Sequence, residues 1–163
     1  MSDGIITFLA SFLIWVILVS LFALWLIDGR IKKEVALHAI TAGIIAWLVT
    51  QIIKSLIPSM RPFDINGLTP LTLSVPGDNA FPSGHAAFTF GIGVSVWRHK
   101  KLLGLVFILM ALGVGVGRIL GNVHSPLDVV AGALLGTISA LLIGRVHFFK
   151  LLKKSKSSMK LKH

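Results

Sequence analysis

Residues 5 to 27, IITFLASFLIWVILVSLFALWLI, run for 23 positions without a charged side chain. As a helix rising ~1.5 Å per residue, such a segment spans a hydrocarbon layer about 30 Å thick. It is too long for the core of a secretory leader. The residues before it, MSDG, carry an acid and no basic cluster, and no small-residue cleavage site follows. The run therefore reads as a retained transmembrane helix. Inside lipid every backbone N–H and C=O needs a partner within the chain, and a helix supplies those partners locally.

Four further apolar stretches follow, at about Val35–Ile57, Ser83–Trp97, Leu102–Leu120 and Pro126–Phe149. The expected fold class is all-α, an integral membrane helical bundle of about five transmembrane helices. The third and fourth stretches are short for a crossing, so their ends are expected in polar protein surroundings. Composition agrees: 55% of residues are hydrophobic and 13% charged, with a mean hydropathy of +0.88. Residues 1–150 are expected to form a single transmembrane domain, and 151–163 a basic tail lying near anionic lipid. The absence of cysteine excludes disulfides and thiolate metal sites.

The net charge of +10 would suggest nucleic acid in a soluble chain. Here the cations form short clusters between apolar runs, with no aromatic-interleaved basic stretch, so nucleic acid is not an expected partner. Thirteen of the sixteen Lys and Arg residues fall in loop 28–34, loop 98–101 and the C-terminal end from Arg145 onward. In a five-span chain these share one side, which the positive-inside rule makes cytoplasmic. The N-terminus is then outside and the C-terminus inside.

Lys54, Arg61 and Arg118 remain, all on the outer side with Asp64, Asp78, His85, His124 and Asp128. Three stretches hold most of them: KSLIPSMRP with Lys54 and Arg61, DNAFPSGHA with Ser83, Gly84 and His85, and GRILGNVHSPLD with Arg118, His124 and Asp128. Each has an ordinary explanation. Lys54 suits a snorkelling side chain at a helix end. Ser125-Pro126-Leu127-Asp128 reads as a helix start with a Ser cap, Pro at the first position and an acid at the third. His85 alone suits an interfacial residue. Together the residues say more, because three cations, two histidines and an acid on one face form a place for an anion. Asp128, four residues after His124, is able to cap the helix and also to orient the imidazole.

Lys54-x6-Arg61-Pro62, then Pro82-Ser83-Gly84-His85, then Arg118-x5-His124-x3-Asp128 resembles the three-part signature of the type 2 phosphatidic acid phosphatase family. The resemblance covers about residues 54 to 128. It implies a membrane lipid phosphatase in which His124 attacks phosphorus, Asp128 orients it and His85 protonates the leaving oxygen. Lys54, Arg61 and Arg118 would hold the phosphoryl oxygens, with backbone N–H groups of Ser83 and Gly84 as further donors. Such enzymes need neither metal nor cofactor. The third motif usually opens Ser-Arg, whereas this chain has Gly117-Arg118.

Among substrates that the resemblance allows, undecaprenyl diphosphate stands first, then phosphatidylglycerophosphate or phosphatidic acid, then lipid A. The setting implied is a bacterial inner membrane, with the site facing the exterior. The contrasting expectation is a non-enzymatic membrane protein that binds or translocates an anionic lipid. It would need the cations but neither histidine. Loop 58–80 has the length of a lid or binding loop, with room for a short interfacial helix. Asp64 and Asp78 within it read as solvated or loop-capping. Gly132 and Gly136 form a GxxxG pattern, which suits close helix packing or a homodimer through the fifth span. His38 and Gln51 read as hydrogen-bonded structural residues.

Overall fold

The computed structural model describes residues 1–26 and 30–145. The tail 151–163 and the end of the fifth expected span lie outside the described residues, as does the start of loop 28–34. The described residues form helices and no strand. In chain order these are α1 (Asp3–Leu26), α2 (Arg30–Leu56), a short α3 (Pro62–Asn66), α4 (Gly84–His99), α5 (Lys101–Leu120) and α6 (Pro126–Ile143).

Among the described residues, four helical stretches are long and apolar enough to cross a membrane: Asp3–Leu26, Lys33–Leu56, Lys101–Leu120 and Pro126–Ile143. The third expected span, α4, has only 16 residues, a rise of about 24 Å. It is the central helix, packed along α2, α5 and α6. Buried among protein neighbours, it need not match the thickness of the bilayer. Its first residues are thereby set among the ends of the surrounding helices.

The packing has the inside-out pattern of a membrane protein. Large apolar side chains such as Trp15, Phe22, Ile52, Leu109 and Leu134 are exposed, while Ala39, Ala42, Ala46, Ala86, Ala87 and Ala111 are fully buried. With lipid outside, large side chains gain nothing by turning inward, and small ones let helix backbones approach. A modest core of larger residues joins α1, α2, α4 and α5 through Ile17, Val35, Ile92 and Val114.

Gly132 and Gly136 show how close the approach is. A Cβ on Gly132 would run into the Ser83 carbonyl oxygen, and one on Gly136 into that of Ala87. The glycine face offered by the sequence for a homodimer is therefore occupied by α4 of the same chain. At the opposite end of the bundle from the signature residues, Arg98 caps α6. Its Nη1 donates to the carbonyls of Ala140 at 3.0 Å and Leu141 at 2.9 Å. A cation on a helix C-terminus is favourable there.

Candidate active site

Four helix ends meet at one end of the bundle: the C-termini of α2 and α5 and the N-termini of α4 and α6. The local sequence explains each stop and start. Pro58 and Pro62 keep α2 from continuing, so Lys54 and Arg61 do not share one helix face. Instead the chain leaves α2 after Leu56 and brings Arg61 back as the residue before α3. The Asp64 carboxylate there accepts from the Arg61 N–H at 3.3 Å, which bears out its reading as a loop cap. α5 ends in a turn whose Asn122 has φ 61°, a conformation that asparagine tolerates better than most side chains. Ser125 then caps α6, accepting from the Asp128 N–H at 3.2 Å.

The three stretches converge. A cavity of about 230 Å³ is lined by Lys54, Arg61, Gly84, His85, Arg118 and His124, together with Asp78. Lys54, Arg61 and Arg118 are no more than 5% exposed. The snorkelling alternative for Lys54 therefore does not hold. Its ammonium lies 2.8 Å from Asp78 Oδ2 and also donates to the Asn79 carbonyl.

Arg61 is the most heavily tied of the cations. Its Nε donates to the Asp78 carbonyl at 2.9 Å, its Nη1 to the Val123 carbonyl at 2.8 Å, and its Nη2 pairs with the Asp78 carboxylate. Nη1 also lies 3.4 Å from Nε2 of His124. Arg118 is held more lightly, through Nη1 to the Ala10 carbonyl at 3.3 Å. Its buried Nε has no hydrogen-bond partner among the described residues. A buried guanidinium N–H left unsatisfied beside a cavity is a place for an acceptor to bind.

The Arg61 contact fixes the His124 tautomer. An arginine N–H facing Nε2 requires that nitrogen to carry the lone pair, which puts the proton on Nδ1. Nδ1 lies 3.5 Å from Asp128 Oδ2, within ion-pair reach but not hydrogen-bonded. The same oxygen accepts from the Ser125 N–H at 2.7 Å. Asp128 thus caps α6, as read from the sequence, and its carboxylate also faces the imidazole.

Burial holds the His124 imidazole well below its usual range, at about 4, and the charges of Arg118, Arg61 and Lys54 add to this against the opposing pull of Asp128. A histidine whose folded value is depressed stays neutral until the pH falls through that value. Nε2 therefore carries no proton at pH 7, and its lone pair faces only the Arg61 N–H. In 15N spectra of histidine-labelled protein, the His124 ring is expected to titrate near pH 4. A midpoint at 6 or above would contradict this.

Two residues behave differently from the sequence reading. The Ser83 N–H is not available to a ligand, because it donates to the Asp128 carbonyl at 2.9 Å. That bond docks the start of α4 onto α6. Gly84, at the first position of α4, keeps an N–H without an intrahelical partner and lines the cavity. Asp78, read as solvated or loop-capping, is half-exposed and also bridges Lys54 and Arg61. Burial alone would push its carboxyl up, but the hydrogen bonds and charges of Lys54 and Arg61 more than offset this and hold it below the usual carboxylate range.

The sequence also gave no sign of the π-helical turn Phe8–Phe12 in α1. Such turns widen a helix and often mark functional positions. This one presents the Ala10 carbonyl to Arg118. It also lies against Gly117, where an added Cβ would sit 2.5 Å from the Ala10 nitrogen.

Residues 35–151 match the PAP2 superfamily. The chain belongs to that family. It is 33% identical over 147 residues to the bacitracin transport permease protein BcrC of Bacillus licheniformis, covering 88% of this chain and 70% of the relative. It is 28% identical to an undecaprenyl-diphosphatase of Sulfolobus acidocaldarius, over 97% of this chain and 77% of that one. Among solved structures, Aquifex aeolicus LpxE superposes with a TM-score of 0.74 at 28% identity, covering 88% of this chain and 86% of LpxE. A Bacillus subtilis PAP2-type phosphatidylglycerolphosphate phosphatase shares the fold at a TM-score of 0.59 and 23% identity, covering 86% and 71%. The resemblance read from the three motifs is thus borne out: the chain is a PAP2 membrane lipid phosphatase with an all-helical fold.

Proposed function

We propose that this PAP2 phosphatase hydrolyses a lipid diphosphate, undecaprenyl diphosphate first, through a phosphohistidine on His124. The observation that carries the reading is the cavity in which three buried cations surround a neutral histidine, with an unsatisfied donor on Arg118. A phosphoryl group seated there would place its oxygens against Lys54, Arg61, Arg118 and the Gly84 N–H. His124 Nε2 attacks phosphorus as the bond to the leaving oxygen breaks. His85, protonated once the anionic headgroup sits beside it, gives that oxygen a proton, so lipid monophosphate departs. His85 then takes a proton from water as the water attacks the phosphohistidine, releasing orthophosphate and restoring His124. Asp128 keeps the Nδ1 proton in place and stabilises the charge on the ring. The three cations supply the positive charge that a metal ion would bring, so the reaction is proposed to need no metal or cofactor.

The lipid tail has a place. A cavity of about 640 Å³, lined by Ile14, Trp15, Leu18, Trp47 and Phe88, reaches His85 and Arg118. It lets an apolar chain stay in the membrane while its headgroup enters the site. A relative named undecaprenyl-diphosphatase and a second named putative undecaprenyl-diphosphatase favour that headgroup; phosphatidylglycerophosphate, phosphatidic acid and lipid A rank behind it. The positive-inside asymmetry supports an inner-membrane protein with this site on the outer face.

The contrasting reading, a binder or translocator, is echoed by the name of the Bacillus licheniformis relative. It asks for cations but not for a neutral histidine with an acid behind it. The test is phosphate release from a panel of these lipids by purified protein in excess EDTA. Fastest release from undecaprenyl diphosphate is expected. Release from none of them, with lipid binding intact, would favour the binder.

A further inference from the structure

The reaction cavity has a second mouth besides the apolar one. A polar cavity of about 620 Å³ lies at the end of α2 and under the loop 58–79, with Ser55, Ser59 and Asp64 on its wall. It shares Gln51, Lys54 and Asp78 with the reaction cavity. The apolar cavity meets the reaction cavity along a different set of residues, Trp47, Pro76, Gly84, His85 and Arg118. Asp78 thus lines both cavities and, at their junction, pairs with Lys54 and Arg61.

The contrast in exposure matters. The Asp78 side chain is 49% exposed, whereas those of Lys54 and Arg61 are 6% and 3% exposed. A half-exposed loop carboxylate therefore closes over two buried cations from the water side. The neighbouring main chain helps, since the Asp78 and Asn79 carbonyls accept from Arg61 Nε and Lys54 Nζ. Two buried cations without an anion would be costly. An acidic side chain on a loop able to step in when phosphate leaves, and step out when it binds, removes that cost in both states.

The two products of the proposed reaction differ in kind. The lipid product belongs in the apolar groove. Orthophosphate is a small, strongly hydrated anion, and an apolar route to water is expensive for it. We infer that Asp78 is the latch of a water-side port, through which inorganic phosphate leaves and water enters, and that its carboxylate competes with phosphate for Lys54 and Arg61. This rests on the phosphoryl-site reading above.

The test uses the full chain in detergent, with inorganic phosphate as the probe. Its dissociation constant is read from the concentration-dependent shift in melting temperature, and its Ki from competition with lipid substrate. Asp78→Asn and Asp78→Ser both remove the competing charge, so phosphate is expected to bind about tenfold more tightly, a shift of ~1.4 kcal/mol. Two replacements of different shape guard against a local packing defect in either. Unchanged or weaker phosphate binding in a folded variant, with the wild type still binding, would overturn the latch alone. No phosphate binding by any version, wild type included, would overturn the latch and the phosphoryl-site reading together.

Discussion

Replacing His124 by alanine is expected to abolish phosphate release while leaving the fold intact. A nucleophile that forms a covalent intermediate has no substitute in the cavity, because the other imidazole, His85, is assigned to the leaving oxygen. Losses of about 10⁴-fold or more are typical when such a group is removed, equivalent to about 5 kcal/mol of barrier. The cations would still hold the lipid headgroup. Binding should therefore survive while turnover fails, which separates this account from one in which His124 merely packs. The checks are turnover against a lipid diphosphate and a melting curve in detergent. Turnover within tenfold of wild type would show that His124 is not the nucleophile.

The second large effect concerns Gly117, where the family signature usually carries serine. Restoring serine is expected to damage this protein. The added Cβ would lie 2.5 Å from the Ala10 nitrogen, 2.6 Å from the Leu9 carbonyl carbon and 2.7 Å from the Leu9 Cβ. Two of these contacts are with backbone, which cannot rotate away as a flexible side chain would. Overpacking of this kind costs about 1–3 kcal/mol. It also pushes α1 off the neighbouring Arg118, whose guanidinium is positioned by the Ala10 carbonyl of the π-helical turn. A displacement of about 1 Å at a group proposed to hold the reacting phosphoryl lowers turnover by roughly 100-fold. Gly117→Ala should be as damaging as Gly117→Ser if the cause is steric. Wild-type or faster turnover in Gly117→Ser would mean that a hydroxyl contact to phosphate outweighs the packing.

The motif residues were legible because their chemistry and spacing are local. Pro126 after Ser125, with Asp128 two positions on, fixes the start of α6 and so places His124 just outside it. The all-helical fold follows as directly from uncharged runs that only helices can carry through lipid. What the sequence could not give depends on distant parts of the chain meeting. Asp78 reaches Lys54 across an irregular loop, and no periodicity reports where such a loop returns. The Ser83 N–H looks free from the sequence, since a helix start leaves its donors unpaired. It is taken by a carbonyl of α6 that only the packing brings near. The Gly132–Gly136 pattern states that something comes close but not which surface, and α4 proves to be the occupant. The short α4 is explained by burial, because a helix surrounded by other helices is released from the length that lipid imposes.

The covalent intermediate is the centre of this account. Purified protein, in excess EDTA, would be mixed with a lipid diphosphate carrying radioactive terminal phosphate and quenched in alkali, where phosphohistidine survives. The label is expected on the peptide containing His124 within the first turnover, and to be absent from His124→Ala. Label on a different residue, or label and release that appear only when a divalent metal is restored, would contradict it.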